Sequence, residues 1–307
     1  MKTKLQKFLL VLAVLLSVIN FSHAQLNGFE PKPSGKSFST VYGSIEYDLP
    51  TCIKQIDSSY YLLNFEFNEP YMPGEKAEII KLNNIGSFEK KNTFFSNGLQ
   101  YTPLRKIYPI NNSEFLLLGG VRENEESNTQ IWVIKIDTSL NMIWEKRFQT
   151  NVKYLNRMNY TINNKNNLIL IVTLSTSSPS FLQSILFMEL TLNGDLVRSR
   201  HEITGNPTTM MGYSIISHNN GYYAFADGFS SYLPIPGYGF SERLDLDTNF
   251  NIIRVQSIPE GMYGYMTSRK INEQSYYLTG KQYFNRFYTE TGIQKTDTSN
   301  AVLFSNH

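Results

Sequence analysis

From about residue 37 onward, apolar residues come in short runs, each stopped by a cluster of Asn, Asp, Ser or Gly. Such runs read as β-strands and the clusters as turns, and no long 3.6-residue periodicity follows the first 24 residues. One phrase recurs, an apolar strand running into a polar turn. It appears as Ile79-Ile80-Lys81-Leu82-Asn83, Val133-Ile134-Lys135-Ile136-Asp137, Met188-Glu189-Leu190-Thr191-Leu192-Asn193, Leu244-Asp245-Leu246-Asp247 and Ile293-Gln294-Lys295-Thr296-Asp297. Taking Asn83, Asp137, Asn193, Asp247 and Asp297 as markers, the period is 50 to 56 residues. A second phrase precedes each copy, a polar turn feeding an aromatic or aliphatic strand, as in Asp57-Ser58-Ser59-Tyr60-Tyr61 and Asn219-Asn220-Gly221-Tyr222-Tyr223.

Each unit therefore predicts strand, tight turn, strand, longer loop, strand, tight turn, strand. One four-stranded sheet would leave an apolar face bare, whereas stacked copies cover one another. The expected fold is all-β, a β-propeller of about five four-stranded antiparallel blades. Residues 37–43 read as a fourth strand that completes the last blade and closes the ring, the short final strand 301–304 leaving room for it. The alternative is an incomplete array.

The first residues change the picture of where this fold works. Lys2, Lys4 and Lys7 precede an apolar stretch from Phe8 to Ile19, and Ser22-His23-Ala24 supplies small residues before Gln25. This is the order of a cleaved signal peptide, and the apolar run is short of the ~20 residues a membrane-spanning helix needs. The expected organisation is a signal peptide over 1–24, a linker over 25–37 and the propeller over 38–307. Removing three lysines with no acid turns the whole-chain charge of +2 into −1. That balance supports neither nucleic acid nor stable membrane insertion of the mature chain. Cys52 is the single cysteine, so no internal disulfide forms, and its apolar neighbours make it a small strand residue.

Several pieces of the repeat have a familiar order: Thr40-Val41-Tyr42-Gly43, Gln55-Ile56-Asp57-Ser58-Ser59-Tyr60-Tyr61-Leu62, Leu118-Gly119-Gly120, Trp132-Val133-Ile134-Lys135-Ile136-Asp137 and Trp144-Glu145-Lys146. With them the chain resembles the secreted β-propeller repeat proteins common in Bacteroidetes. The likeness runs from Ser39 onward, is strongest from Leu104 to Phe148, and is degenerate in the third and fourth units. The resemblance implies export. Such proteins often carry a sorting domain for the type IX secretion route; none is recognised before His307, and extracellular, cell-surface and periplasmic destinations all stay open.

Sites of chemistry are sparse. His201 and His218 lack metal-ligand spacing and read as ordinary surface residues. Asp245, Asp247, Asn249 and Asn251 alternate like a calcium loop, but Phe250 stands where the glycine is needed and Gln256 where the glutamate is needed. Trp144 reads as packing between blades, and no quinone site accompanies it. No metal, cofactor or catalytic residue is assigned. Glu66, Asp227 and Glu242 are acidic candidates without a motif.

Topology adds one inference. Alternating strands put both tight turns of every unit on one face of the disc and the longer loops, with the links between units, on the other. Those loops span 68–75, 122–129, 175–183, 229–241 and 282–290. They bring Tyr71, Tyr232, Tyr238, Phe240, Tyr283, Phe284, Phe287 and Tyr288 around one mouth, where amphipathic rings suit a sugar or a protein partner. The expected function is a secreted or cell-surface binding module for a glycan or protein. The alternatives are a polysaccharide hydrolase or lyase with carboxylates in the funnel, and a structural segment of a larger adhesin-like protein.

Overall fold

The computed structural model describes residues 47–67, 76–94, 104–124, 126–175, 183–202, 209–218, 220–229, 240–258, 263–272, 275–285, 288–297 and 302–306. The leader, the linker and the 37–43 strand lie outside them. The described strands form five antiparallel sheets of four, each built from consecutive strands in sequence order. The first holds β1 (Tyr47–Ile56), β2 (Ser59–Phe67), β3 (Lys76–Leu82) and β4 (Phe88–Phe94). The second holds β5 (Leu104–Pro109), β6 (Glu114–Val121), β7 (Gln130–Asp137) and β8 (Met142–Gln149). The third holds β9 (Tyr154–Ile162), β10 (Leu168–Ser175), β11 (Gln183–Leu190) and β12 (Leu196–Glu202). The fourth holds β13 (Thr209–His218), β14 (Gly221–Phe229), β15 (Phe240–Asp247) and β16 (Ile252–Ser257). The fifth holds β17 (Tyr263–Asn272), β18 (Ser275–Asn285), β19 (Tyr288–Asp297) and β20 (Val302–Asn306). This is the propeller unit the repeat predicts. The fourth place in the last sheet is held by β20, which pairs with β19 from Ile293 to Thr296.

Consecutive sheets meet through their first strands, β1 on β5, β5 on β9, β9 on β13 and β13 on β17. First strands are therefore innermost and fourth strands form the rim, which is why β8 is exposed at every second residue while β10 is buried along its whole length. A sheet covered on both faces can bury both parities of a strand. In β6, Phe115 and Leu117 face the first sheet's core with Tyr61, Leu63 and Ile79, while Leu116 and Leu118 join Leu155, Leu170 and Met188 of the third. Two further apolar cores join the third sheet to the fourth and the fourth to the fifth.

The recurring marker is a five-residue turn with one hydrogen-bonding scheme. The Asp137 amide donates to the Asn141 carbonyl, and the Leu140 amide donates back to the Asp137 carbonyl. Asp137 Oδ1 accepts from the amides of Ser139 and Asn141. Asn83 and Asp247 repeat the pattern, and Asn163 uses it between β9 and β10. In the third unit the equivalent residue is Thr191, whose Oγ1 accepts from the Asp195 amide. The sequence marker Asn193 is displaced by two residues, because a threonine hydroxyl can take over the acceptor role of the Asx side chain.

The fourth residue of each of these turns is left-handed, and in two of them, at Leu140 and Phe250, its side chain is inserted toward the preceding sheet. Leu140 and Phe250 both sit at φ 65° and are buried. Phe250 stacks on Phe187 with centroids 5.6 Å apart and lies 5.3 Å from Tyr222. In the third unit the residue is Gly194, and a Cβ there would come within 2.6 Å of Trp144. The preceding rim strand grips each turn: Lys90 and Asn92 donate to the carbonyls of Ser139 and Leu140, Lys146 pairs with Asp195, and Arg198 donates to the Thr248 carbonyl. Trp144 thus packs between blades, as its place in the repeat predicts.

Candidate functional site

The five innermost strands share an irregularity at the long-loop end. The ladder slips between Pro50 and Cys52 in β1, between Leu104 and Lys106 in β5, and between Gly212 and Ser214 in β13. In β9 the partners jump from Leu155 to Arg157, and β17 is irregular between Tyr263 and Thr267. A bulge leaves one residue unpaired and re-aims its side chain, and such features gather at barrel rims and sites. The extra residues here are Thr51, Arg105, Asn156 and Tyr213.

Side chains at these bulges tie each inner strand to the next. Thr51 Oγ1 donates to the Leu104 carbonyl at 2.7 Å, and Arg105 Nη2 reaches the Leu155 carbonyl at 3.4 Å. The Arg157 guanidinium lies 4.5 Å from the centre of the Tyr213 ring, and the hydroxyls of Ser214 and Ser268 share a hydrogen bond. The result is a polar collar around the axis. Lys106, beside the Arg105 bulge, is half-buried. Burial holds its ammonium below the ordinary lysine value; Lys54 and Arg105 push the same way, and Cys52 opposes them. Burial raises the Tyr160 phenol, whose hydroxyl donates to the Ile107 carbonyl at 2.8 Å.

The sequence-named aromatics fall into two groups. Tyr71, Tyr232, Tyr238 and Phe287 lie outside the described residues. Phe240 opens β15, Tyr283 and Phe284 belong to β18, and Tyr288 opens β19. The expected loop over 282–290 is therefore a tight hairpin, with Gln282 opposite Glu290 and Tyr283 opposite Thr289. Aromatic and β-branched residues favour the pleated ladder, and every added pair satisfies backbone groups that a loop would leave to water. The other long loops begin and end within a residue or so of where the repeat puts them.

None of the acidic candidates lies on an innermost strand. Glu66 lies in β2, Asp227 in β14 and Glu242 in β15, all second or third strands. Asp227 stands opposite Ser241 and Glu242 opposite Ala226, neighbouring register positions of opposite parity. Burial raises the Glu242 carboxyl above its ordinary value. The oxygen-rich stretch around Asp247 is one of the five-residue turns. Asp247 Oδ1 accepts two amides and its Oδ2 takes the Asn251 side-chain amide at 2.6 Å, while Asp245 receives Arg243 at 2.7 Å and Arg254 at 2.6 Å. Neither histidine is an ordinary surface residue: His201 Nε2 is 2.6 Å from Ser184 Oγ, and His218 stacks on Tyr223 at 4.2 Å. Cys52 is half-buried against the first inter-sheet core, as a small strand residue would be.

Sequence reasoning missed the collar. A signal was present, since Leu104-Arg105-Lys106-Ile107 and Leu155-Asn156-Arg157-Met158 occupy the same phase of successive units. Its meaning depends on knowing which strand faces the axis.

No family model and no curated protein matches the chain. Among solved structures it is similar to the β-propeller domain of the trilobed protease from Pyrococcus furiosus, with 12% identity over 84% of this chain and 71% of that one, TM-score 0.45. It is also similar to an exo-1,5-α-L-arabinanase from a bovine ruminal metagenomic library, with 11% identity over 84% and 95%, TM-score 0.43. A Synechocystis apocarotenoid oxygenase gives 10% identity over 80% and 58%, TM-score 0.47. At these levels the propeller assignment rests on the chain's own five sheets.

Proposed function

We propose that this chain is an exported binding module that holds a glycan or protein at the long-loop end of its propeller. The observation that carries this reading is the collar: inner strands bulged at one height, with the half-buried polar residues Thr51, Arg105 and Asn156 at the bulges. Hydrogen-bonding and aromatic side chains on a rigid scaffold are the means by which sugars and protein loops are held. On the sequence pattern, Tyr232 and Tyr238 belong to the connection between β14 and β15, expected at the same end. Export from the cell, through a cleaved leader over 1–24 and in the manner of the Bacteroidetes repeat proteins, belongs to the same proposal.

The test is a glycan-array screen of the mature chain from Gln25, followed by titration of the best ligand. Tyr232→Ala and Tyr238→Ala are expected to weaken binding about tenfold each, with no turnover of the ligand. Glu242, half-buried in β15, is the residue at which the hydrolytic alternative is tested. Release of reducing ends or unsaturated sugars by the wild type, abolished in Glu242→Gln, would replace the binding reading with that one.

A further inference from the structure

Charge is not shared evenly among the strands. The five innermost strands together hold Lys54, Arg105, Lys106, Arg157, Arg269 and Lys270 against one acid, Asp48. The second strands carry the reverse, Glu66, Glu114 and Asp227 against Lys281. A mature chain of net charge −1 therefore concentrates basic residues on the strands nearest its axis. Like charges gathered in a cleft with low-dielectric walls focus a field that acts on a ligand well before contact.

Three of these cations lie at the collar. Thr51 binds the carbonyl two residues before Lys106 and so fixes β1 against β5 at this height. Arg105 is held by the Leu155 carbonyl and Arg157 by the Tyr213 ring. Among the described residues no carboxylate pairs with Lys106. Folding has half-buried the Lys106 ammonium with Lys54 and Arg105 repelling it and the Cys52 thiol opposing them, an arrangement that an anionic ligand would relieve.

Building on the binding reading, we infer that the ligand is an acidic glycan, one bearing carboxylate or sulfate, whose anionic group seats on Lys106 at the collar with Arg105 and Arg157 beside it. A sugar matches the remainder of the collar too, since its hydroxyls suit Asn156 while its acid group answers the cations. The near-neutral charge of the whole chain hides this preference.

The experiment titrates the mature chain with oligogalacturonate, its fully methyl-esterified form, sulfated chondroitin oligosaccharide, a neutral xylo-oligosaccharide and poly-glutamate. Oligogalacturonate or the sulfated sugar is expected to bind at least tenfold more tightly than the neutral sugars, with affinity falling as salt rises. The two acidic arms distinguish carboxylate from sulfate. Lys106→Gln is expected to remove about tenfold of that acidic-glycan affinity and to leave neutral sugars unaffected, whereas Lys106→Arg keeps it. Lys106→Met, which removes the charge and keeps the aliphatic stem, repeats the test where Lys106→Gln fails to fold. Equal binding of acidic and neutral sugars overturns the anionic inference and leaves the glycan module standing. Tighter binding of poly-glutamate than of any sugar overturns the glycan assignment. Binding of nothing in the panel or on the array removes both.

Discussion

Phe250 gives the sharpest test of how the blades hold together. It is fully buried, stacked on Phe187 of the neighbouring sheet, and left-handed at φ 65°. Removing the ring in Phe250→Ala empties the core between the third and fourth sheets and costs about 3–5 kcal/mol. The alanine keeps the backbone strain, about 1–2 kcal/mol for a residue with a Cβ in this region. Phe250→Gly loses the same ring and relieves the strain, at a cost of about 0.5–1 kcal/mol in unfolded-chain freedom. The glycine variant should therefore be the more stable of the two by about 0.5–1 kcal/mol, the reverse of the order found where φ is negative. Urea unfolding followed by circular dichroism and tryptophan fluorescence, read as midpoint and slope, measures both differences. An alanine variant within about 1 kcal/mol of wild type, or one more stable than the glycine variant, would refute the inserted-turn picture.

Other consequences follow from neighbouring contacts. Gly194→Ala should lower the melting temperature and shift the Trp144 fluorescence, because its Cβ would lie 2.6 Å from the indole and φ is +80°; unchanged emission would mean that the turn is not pressed on Trp144. Arg243 is fully buried, bonded to Asp245 and Tyr276 and set 4.4 Å from the Tyr223 ring centre. Arg243→Ala should cost about 3–5 kcal/mol in chemical unfolding, and the loss should be smaller in Arg243→Met, which refills the volume. Asp247 is held below the ordinary aspartate value: burial alone would raise it, but the bonds from Asn251 and Asn249 outweigh that. A depressed carboxylate contributes stability above its unfolded pKa, and that stability is lost as pH falls through the folded one. Asp247→Asn should therefore flatten the acid limb of a stability–pH curve below about pH 4, while an unaltered limb would show that the turn carboxylate contributes nothing.

Much of the fold was legible along the chain. The repeated strand–turn phrases located nearly all of the strands, because alternating burial and Asx turns act over a few residues and leave a local trace. Asp137 and Asp247 mark turns because their side chains bond the backbone beside them, and Asp57 marks one through its left-handed backbone. The slip at Thr191 and the over-long loop drawn over 282–290 mark where that local trace is ambiguous: a hydroxyl replaces a carboxylate, and strand-forming aromatics sit where a loop was expected.

The sequence by itself determined the strands, their grouping in fours and the recurrence that makes them stack, because each follows from interactions within about fifty residues. Only the tertiary structure decided which strand of each unit faces the axis, that bulges at Thr51, Arg105, Asn156 and Tyr213 meet at one height, and that Arg105 and Lys106 of β5 come beside β9, the strand of Arg157. The physical reason is range. Hydrogen-bonded turns are settled between neighbours, whereas a field at an axis is the sum over residues that only the closing of sheet upon sheet brings together.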